Sequence, residues 1–423
     1  MRFRGSRLRV DRILKEYSLI HLSDTDPENP VFAGIDWGGK HHQLCLVNGD
    51  GNILTRRRLR HDVAGFAELD ELLDIPGLRV AIERGEGLLV EHLQRRGIAV
   101  YCVSPKMSAR ARERYRLSAT KSDAFDAFVL ADTLRHEYRH WRPLPVLSAY
   151  TAELKAVIRD RERISWSQRG AESQLRAILE AYHPAPLHLF STLDRDISLD
   201  FLADYPTPAQ AGRVGTARME AFCNRHGYSG RVPADQLVER IRPHLLSASP
   251  GTTAGKQFTA ELFATQLRLL TGQIKACDKR IDQLLDTHPD APIFLSFPGI
   301  GPVVAATLIA EMGDDRSHYP DARVLLAEAG LSPVTRASGR MHQVRFRYAC
   351  NHRMRHAIDW WAFVSTREVD WAGEAYEKAR ARGQGKYRAL RGVGSRWARI
   401  LWRCWTDHTT YNPARRGTTP TAA

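Results

Sequence analysis

The sequence is poor in cysteine, with six in 423 residues, at Cys45, Cys102, Cys223, Cys277, Cys350 and Cys404. None forms a C-x-x-C pair. That excludes a zinc ribbon, a dithiol redox centre and a disulfide-stapled secreted fold, and leaves buried or free thiols of a reducing compartment. No apolar run approaches the ~18 residues that a spanning helix needs, which excludes a membrane-spanning protein and gives no membrane partner. The opening segment MRFRGSRLRVDRILKEY is basic and lacks the apolar stretch of a secretory signal, so cytoplasmic residence is expected. Acid is also scarce relative to base, 48 Asp+Glu against 62 Lys+Arg, a formal net charge of +14.

What is present is a chain long enough for two or three domains, and 43% hydrophobic residues can fill sizeable cores. The charge is unevenly placed. From Arg336 to Ala423 there are 18 Lys+Arg and 6 Asp+Glu, whereas residues 1 to 335 hold 44 and 42. A basic block on an otherwise balanced chain points to a polyanion, nucleic acid before others, met mainly by the C-terminal part.

After a basic and polar lead-in (1–30), short apolar runs surround the turn signal Asn48-Gly49-Asp50-Gly51 and predict a three-strand meander. A helical pattern through Phe66, Leu69, Leu72 and Leu73 follows, then a strand LRVAIER, a helix LLVEHLQRRG, a strand IAVYCVSP and the helical segment KSDAFDAFVLADTLRHEYRHW. That order, over 31–145, is the order of an α/β ribonuclease-H-like fold. Long amphipathic helices then occupy 146–290. Val157, Ile164, Ala171 and Ile178 recur every seven residues, and Phe263, Leu267, Leu270, Ile274, Cys277, Ile281 and Leu284 step by four and three. Such a seam serves either between chains, as a coiled coil, or within one chain as a helix hairpin. A Pro-, Gly- and His-rich stretch at about 183–255 reads as a small helical insertion. The last domain, 291–411, is expected to be mostly helical, and the tail 412–423 is expected to be disordered.

Asp36 ends the first strand in GIDWGGK and Glu83 ends RVAIE, with Glu86 as its rival three residues on. In the ribonuclease-H-like order these strands are neighbours. Asp123 and Asp126 are three apart on a helix and share a face. Four carboxylates brought together repel unless a counter-charge joins them, and an all-oxygen set favours Mg²⁺, or Mn²⁺, over zinc. PGIGP, with Gly299 and Gly301, reads either as a helix-hairpin-helix turn that offers backbone N–H groups to a phosphate or as a tight helix junction. Ser338 stands between Arg336 and Arg340; by residue type alone it is an ordinary loop serine. Arg345, Arg347, Arg353 and Arg355 interleave with aromatics downstream, and Arg110, Arg112, Arg114, Arg116 and Lys121 precede the Asp123 helix. Both runs suit neutralisation of a nucleic-acid backbone.

GIDWGGK, AIERGEG, KSDAFDAFVLAD, PGIGPVVAATLIAEMGD and GLSPVTRASG, taken together, make a sequence that resembles the DEDD transposases, or recombinases, of bacterial insertion sequences, relatives of site-specific DNA invertases. The resemblance spans almost the whole chain. It implies a RuvC-like N-terminal domain, a dimerising coiled coil and a C-terminal transposase domain that supplies a serine. It also implies that Asp36, Glu83, Asp123 and Asp126 hold Mg²⁺ and that Ser338 attacks a DNA phosphate to form a covalent intermediate. Donor and target DNA, an element-encoded bridge RNA pairing with both, a homodimer or tetramer and the bacterial cytoplasm follow from the same likeness. Two other readings stand beside it: a RuvC-like, Mg²⁺-dependent junction nuclease in which water attacks, and a non-catalytic coiled-coil nucleic-acid-binding protein.

Overall fold

The computed structural model describes residues 29–115, 122–339 and 341–415. They fall into two compact units, the first ending at Val146 and the second beginning at Leu147. No helix among the described residues is long and apolar enough to cross a membrane.

The first unit runs β1 (Phe32–Trp37), β2 (His41–Val47), β3 (Ile53–Arg60), α1 (Val63–Leu72), β4 (Arg79–Ile82), α2 (Leu88–Arg95), β5 (Ala99–Cys102), α3 (Pro105–Glu113) and α4 (Asp123–Glu137). The meander forms as the turn signal predicts. Gly51 takes φ +90°, a conformation glycine adopts at no steric cost, and Asn48 Oδ1 accepts the Asn52 N–H at 2.8 Å. The strands order as β3-β2-β1-β4-β5; β1 is antiparallel to β2 and parallel to β4, and β4 is parallel to β5. This is the ribonuclease-H-like sheet that the sequence order implies.

Alternation along the strands sends side chains to two cores. Ala33, Ile35, Leu44, Leu46, Val80 and Ile82 pack with Leu69, Leu73, Leu89 and Leu93 of α1 and α2. Phe32, Cys45, Val47 and Ala81 pack with Ala127, Leu130, Ala131 and Leu134 of α4. Gly34 lies on the α4 face, and a Cβ there would stand 2.0 Å from the Ala127 carbonyl oxygen. Only a residue without a side chain lets this helix sit so close to the sheet.

The second unit is helical: α5 (Ala149–Tyr182), α6 (Pro186–Leu189), α7 (Asp196–Asp204), α8 (Pro208–Ala211), α9 (Thr216–Arg225), α10 (Ala234–Ile241), α11 (Pro250–Thr287), α12 (Ala291–Leu295), α13 (Pro302–Met312), α14 (Ala322–Glu328), the hairpin β6 (Val334–Ser338) and β7 (Met341–Arg345), α15 (His352–Glu368), α16 (Asp370–Ala381) and α17 (Lys386–Thr406). Ser148 and Ser249 cap the two long helices, accepting the N–H of Thr151 at 3.2 Å and of Thr252 at 3.4 Å. These helices pair with each other and run antiparallel. Thr151 meets His288 at 2.9 Å, Arg161 meets Asp278 at 2.5 Å and Gln168 meets Thr271 at 3.0 Å, so one number rises as the other falls. Within the chain, the heptad seam therefore serves a helix hairpin. Ala171, Ile178, Leu267, Ile281 and Leu284 are buried in it, while Ile164, Ile274 and Cys277 are only half-buried.

Residues of α6 to α10 close a small core of their own around Phe201, Met219, Phe222, Leu237 and Ile241. The C-terminal bundle buries Trp361, Trp397 and Trp405 completely. Each indole N–H still has a partner, the Pro298 carbonyl at 2.9 Å, Ser365 Oγ at 2.8 Å and Asp290 Oδ2 at 2.8 Å, which is what permits burial of so large a polar-tipped ring. One local expectation changes: Ser338 lies at the end of a strand, at the tip of a two-stranded hairpin, and the pairing Ser338 to Met341 closes it. Alternating polar residues flanking a glycine of φ +54° satisfy a turn, and pairing with β7 orders what composition alone reads as a loop. The lead-in residues 1–28 and the tail residues 416–423 lie outside the described residues.

Candidate functional site

The carboxylates come to one edge of the first unit through the sheet register. β1 and β4 pair in parallel with Ile35 abreast of Ile82, so Asp36 and Glu83 leave the ends of neighbouring strands side by side. Asp36 falls two residues after Gly34 and Glu83 two after Ala81, which puts both on the face that α4 covers. Helix α4 is antiparallel to β1: the Tyr138 ring just after its end lies 5.2 Å from that of Phe32, tilted against it, and Ala127 to Ala131 lie over Gly34. Its first turn, with Asp123 and Asp126, therefore reaches the Asp36 end. Ser122 caps that turn by accepting the Phe125 N–H at 3.3 Å, and the unpaired N–H groups of a helix start favour carboxylates there. Asp123 is exposed and Asp126 is 3% exposed. Glu86, the rival of Glu83, is exposed beyond the strand end.

A preassembled four-carboxylate cluster is not what this edge presents. Among the described residues no group of three His, Cys, Asp or Glu stands close enough to hold a metal ion. Asp126 turns its carboxylate onto Arg112 Nη1 at 2.8 Å, its side chain 4% exposed. Arg112 is thus the positive charge that the buried acid requires. The residues fit a hard divalent cation in donor chemistry, all oxygen, and the Arg112 guanidinium supplies a positive charge to one of them. Asp132, further along α4, is also buried, but Arg135 at 2.6 Å and the Tyr115 hydroxyl occupy it; desolvation first, then the hydrogen bond to Asp132 and its charge, push the Tyr115 pKa up to about 12. It holds the helix in place.

On the opposite face of the sheet, His42 is 2% exposed and its Nε2 lies 2.8 Å from His61 Nδ1. Burial first, then the neighbouring His61 and His41, lower its pKa to about 4. Arg84, immediately after Glu83, carries its guanidinium 5.2 Å over the Trp37 ring, immediately after Asp36. The segment AIERGEG, read above for its acids, contained this cation too. Of the basic run in this unit, Arg110 and Arg114 flank Arg112 in and just after α3, and Arg116 and Lys121 lie outside the described residues.

In the second unit the hairpin presents the serine. Residues directly opposite in an antiparallel pair share a face, and Val334 pairs with Arg345, Arg336 with Gln343 and Ser338 with Met341. Arg336, Ser338 and Arg345 therefore project from the same face, with Arg345 donating to Gln343 Oε1 at 2.6 Å. Ser338 and Arg336 are exposed, and Arg340 lies outside the described residues. The other arginines of the block differ in what they do. Arg355 is 6% exposed and donates to the carbonyls of Ala329 and Arg347; Arg353 is paired with Glu162 at 2.6 Å; Arg347 donates to the Ser332 carbonyl at 3.1 Å. The PGIGP turn follows a five-residue helix. Gly299 takes φ +78° and packs on α15, and Gly301 begins α13.

Residues 33–184 match a family profile described as "Transposase", of DEDD and IS110 type, and residues 291–377 match one described as "Transposase IS116/IS110/IS902 family". The chain is 36% identical over 390 residues to the IS117 mini-circle protein of Streptomyces coelicolor, across 88% of this chain and 93% of that one. It is 29% identical to the 42 kDa protein of insertion element IS900 from Mycobacterium paratuberculosis, across 91% and 98%. A T. thermophilus RuvC, solved in complex with a Holliday junction substrate, aligns over 27% of this chain and 99% of its own at 17% identity and a TM-score of 0.22, so the ribonuclease-H-like assignment rests on the strand order and the family match instead. With that identity sustained from the acid-bearing sheet to the serine hairpin, the chain belongs to the IS110/IS116/IS902 family of insertion-element transposases.

Proposed function

We propose that the protein is a DNA recombinase that moves its insertion element by cutting and rejoining strands through Ser338. The observation that carries the reading is the hairpin face on which Ser338 stands exposed at the tip, with Arg336 two residues before it and Arg345 further along the same face, in a chain of the transposase family. A phosphodiester is an anion, and guanidiniums on the nucleophile's own face attract and orient it. The Ser338 hydroxyl gives up its proton as Oγ bonds to phosphorus, the bond from phosphorus to one deoxyribose oxygen breaks, and that oxygen takes up a proton in turn and leaves as a hydroxyl. Attack by another strand's hydroxyl reverses the step, joins the DNA and restores the serine. No bond energy is lost to water in between.

Asp36, Glu83, Asp123 and Asp126 would hold Mg²⁺, with Asp126 shared with or released from Arg112. Such an ion, when bound, neutralises charge on phosphate oxygens. Arg110, Arg112 and Arg114 on one unit, and Arg336, Arg345 and the Gly299-Gly301 turn on the other, would grip the backbone. Pairing by an element-encoded bridge RNA with donor and target DNA would supply the sequence specificity, and a dimer or tetramer would bring the two sites together.

The test uses the full chain with Mg²⁺ and DNA carrying the element's ends. A detergent-resistant protein–DNA adduct is expected from the native chain and is lost in Ser338→Ala, which still binds DNA. An adduct that persists in that variant overturns the assignment, and hydroxyl-ended nicks with no adduct favour hydrolysis by water. Sequencing the nucleic acid that co-purifies checks the guide: a discrete structured RNA from beside the gene is expected.

A further inference from the structure

Where the serine hairpin meets α17, the second unit forms a half-open cavity of about 400 Å³ that none of the assignments above uses. One wall is the end of β7 and the residues after it, Arg345, Phe346 and Arg347. The other is the face of α17 that carries Arg388, Arg391, Gly392 and Ser395. Those four positions fall at helical spacing, so one stripe of α17 faces the space. No Asp or Glu lines it.

The cations are not spent equally. Arg347 is tied to the Ser332 carbonyl and Arg345 to Gln343. Arg388 is exposed, and Arg391 lies over the Phe346 ring at 4.7 Å, with Arg355 over the same ring at 4.5 Å. Among the described residues neither Arg388 nor Arg391 forms an ion pair; half-buried Asp359 is within electrostatic reach of Arg391 and Arg355, and burial raises its pKa. Cations gathered in a concave site without carboxylates repel one another, and an anion relieves that repulsion. Tyr348 packs edge-on against Phe346 at 4.9 Å and is 76% exposed, an unusual state for a large ring. Tyr348 is outside the cavity lining but packs on the Phe346 that lines it and that Arg391 covers, and an exposed ring next to a cationic site is the pairing that holds single-stranded nucleic acid, with the phosphate on the cations and the base on the ring.

We propose that this cavity binds one nucleotide unit of a single strand, its phosphate held by Arg388 and Arg391 and its base laid on the neighbouring Tyr348. The volume is of the size of a small-ligand pocket, whereas a duplex keeps its bases stacked and inaccessible. The site rests on the recombinase reading only in that nucleic acid is the substrate. Its strand is a splayed DNA end or an unpaired stretch of RNA.

Gly392 makes the test clean. A Cβ built there meets nothing within 4 Å, so Gly392→Leu fills the cavity without a backbone clash and improves a helical position. Fluorescence anisotropy on the full chain, with labelled oligo-dT, oligo-rU and a duplex of equal length, reads the outcome. Gly392→Leu and Tyr348→Ala are each expected to weaken single-strand binding about tenfold and leave duplex binding unchanged, while Tyr348→Phe binds as the native chain does. Arg388→Gln is expected to lower the salt slope for single strands by about 0.7. The ratio of the dT and rU losses names the strand. Native affinity in Gly392→Leu, or equal losses for single strand and duplex in these variants, overturns the proposal. The Ser338 adduct is assayed alongside: adduct formation without a cavity effect removes this site alone, and its absence removes the recombinase reading.

Discussion

At Asp126 the carboxylate is all but sealed from water and its charge is met by Arg112 at 2.8 Å, so removing either partner strands a charge in the interior. Arg112→Ala is expected to destabilise the first unit by about 2 kcal/mol, below the ~3–5 of a fully buried pair because Arg112 is 24% exposed. The same change frees Asp126 for a cation. Added Mg²⁺ should therefore raise the melting temperature of Arg112→Ala more than that of the native chain, and equal shifts in a thermal-melt titration would dismiss Arg112 as a competitor. The acids were legible in sequence because strand ends and an i, i+3 helix spacing are local patterns. Arg112's claim on one of them was not legible, because fourteen residues of chain separate it from Asp126 and only folding brings the two together.

Among elements, the dependence of the acid edge on α4 converges on Gly34. Gly34→Ala places a Cβ 2.0 Å from the Ala127 carbonyl oxygen, and backbone cannot yield as a side chain can. Loss of about 3 kcal/mol or more is expected, read as a fall in the urea midpoint, together with loss of Mg²⁺-induced stabilisation as the first turn of α4 moves off Asp36. The long helix pair gives a second case. Leu267 is fully buried in the seam and Leu269, two residues on, is 61% exposed, so Leu267→Ala should cost about 3 kcal/mol and Leu269→Ala less than about 0.5 by the same measurement. Comparable effects would mean that the seam is not where the heptads put it. Period-two and period-seven spacing disclosed which residues turn inward in both elements. They could not disclose the partner, and the heptads, equally suited to a contact between chains, are satisfied here by an antiparallel mate whose bonds to it span 103 to 137 residues of sequence.

Across the whole molecule, two buried histidines link stability to acid. His42 in the first unit and His183 in the second are held neutral, with pKa values lowered to about 4; desolvation is the main cause for each, opposed at His183 by its bond to the Tyr205 carbonyl at 3.0 Å. The unfolded chain takes up these protons near pH 6.5 and the folded chain only near 4, so stability is full above 6.5 and falls as pH drops through that window. At pH 5 the loss is about 2 kcal/mol for each of these two, checked by melting temperature against pH, and replacing His183 by Asn should reduce the second unit's share without abolishing it, since burial also lowers the pKa of His288 there. Charge distribution needs the same three-dimensional reading. Sequence alone established that the excess of base lies from Arg336 onward and that an α/β meander precedes long helices, and it named the carboxylates and the serine at which the family resemblance points, because composition, periodicity and motif are properties of the chain. Tertiary structure decided which charges remain free. Arg347, Arg353 and Arg355 are drawn into bonds of the fold while Arg388 and Arg391 face a cavity, a division set by packing between segments far apart in sequence, which no local pattern encodes.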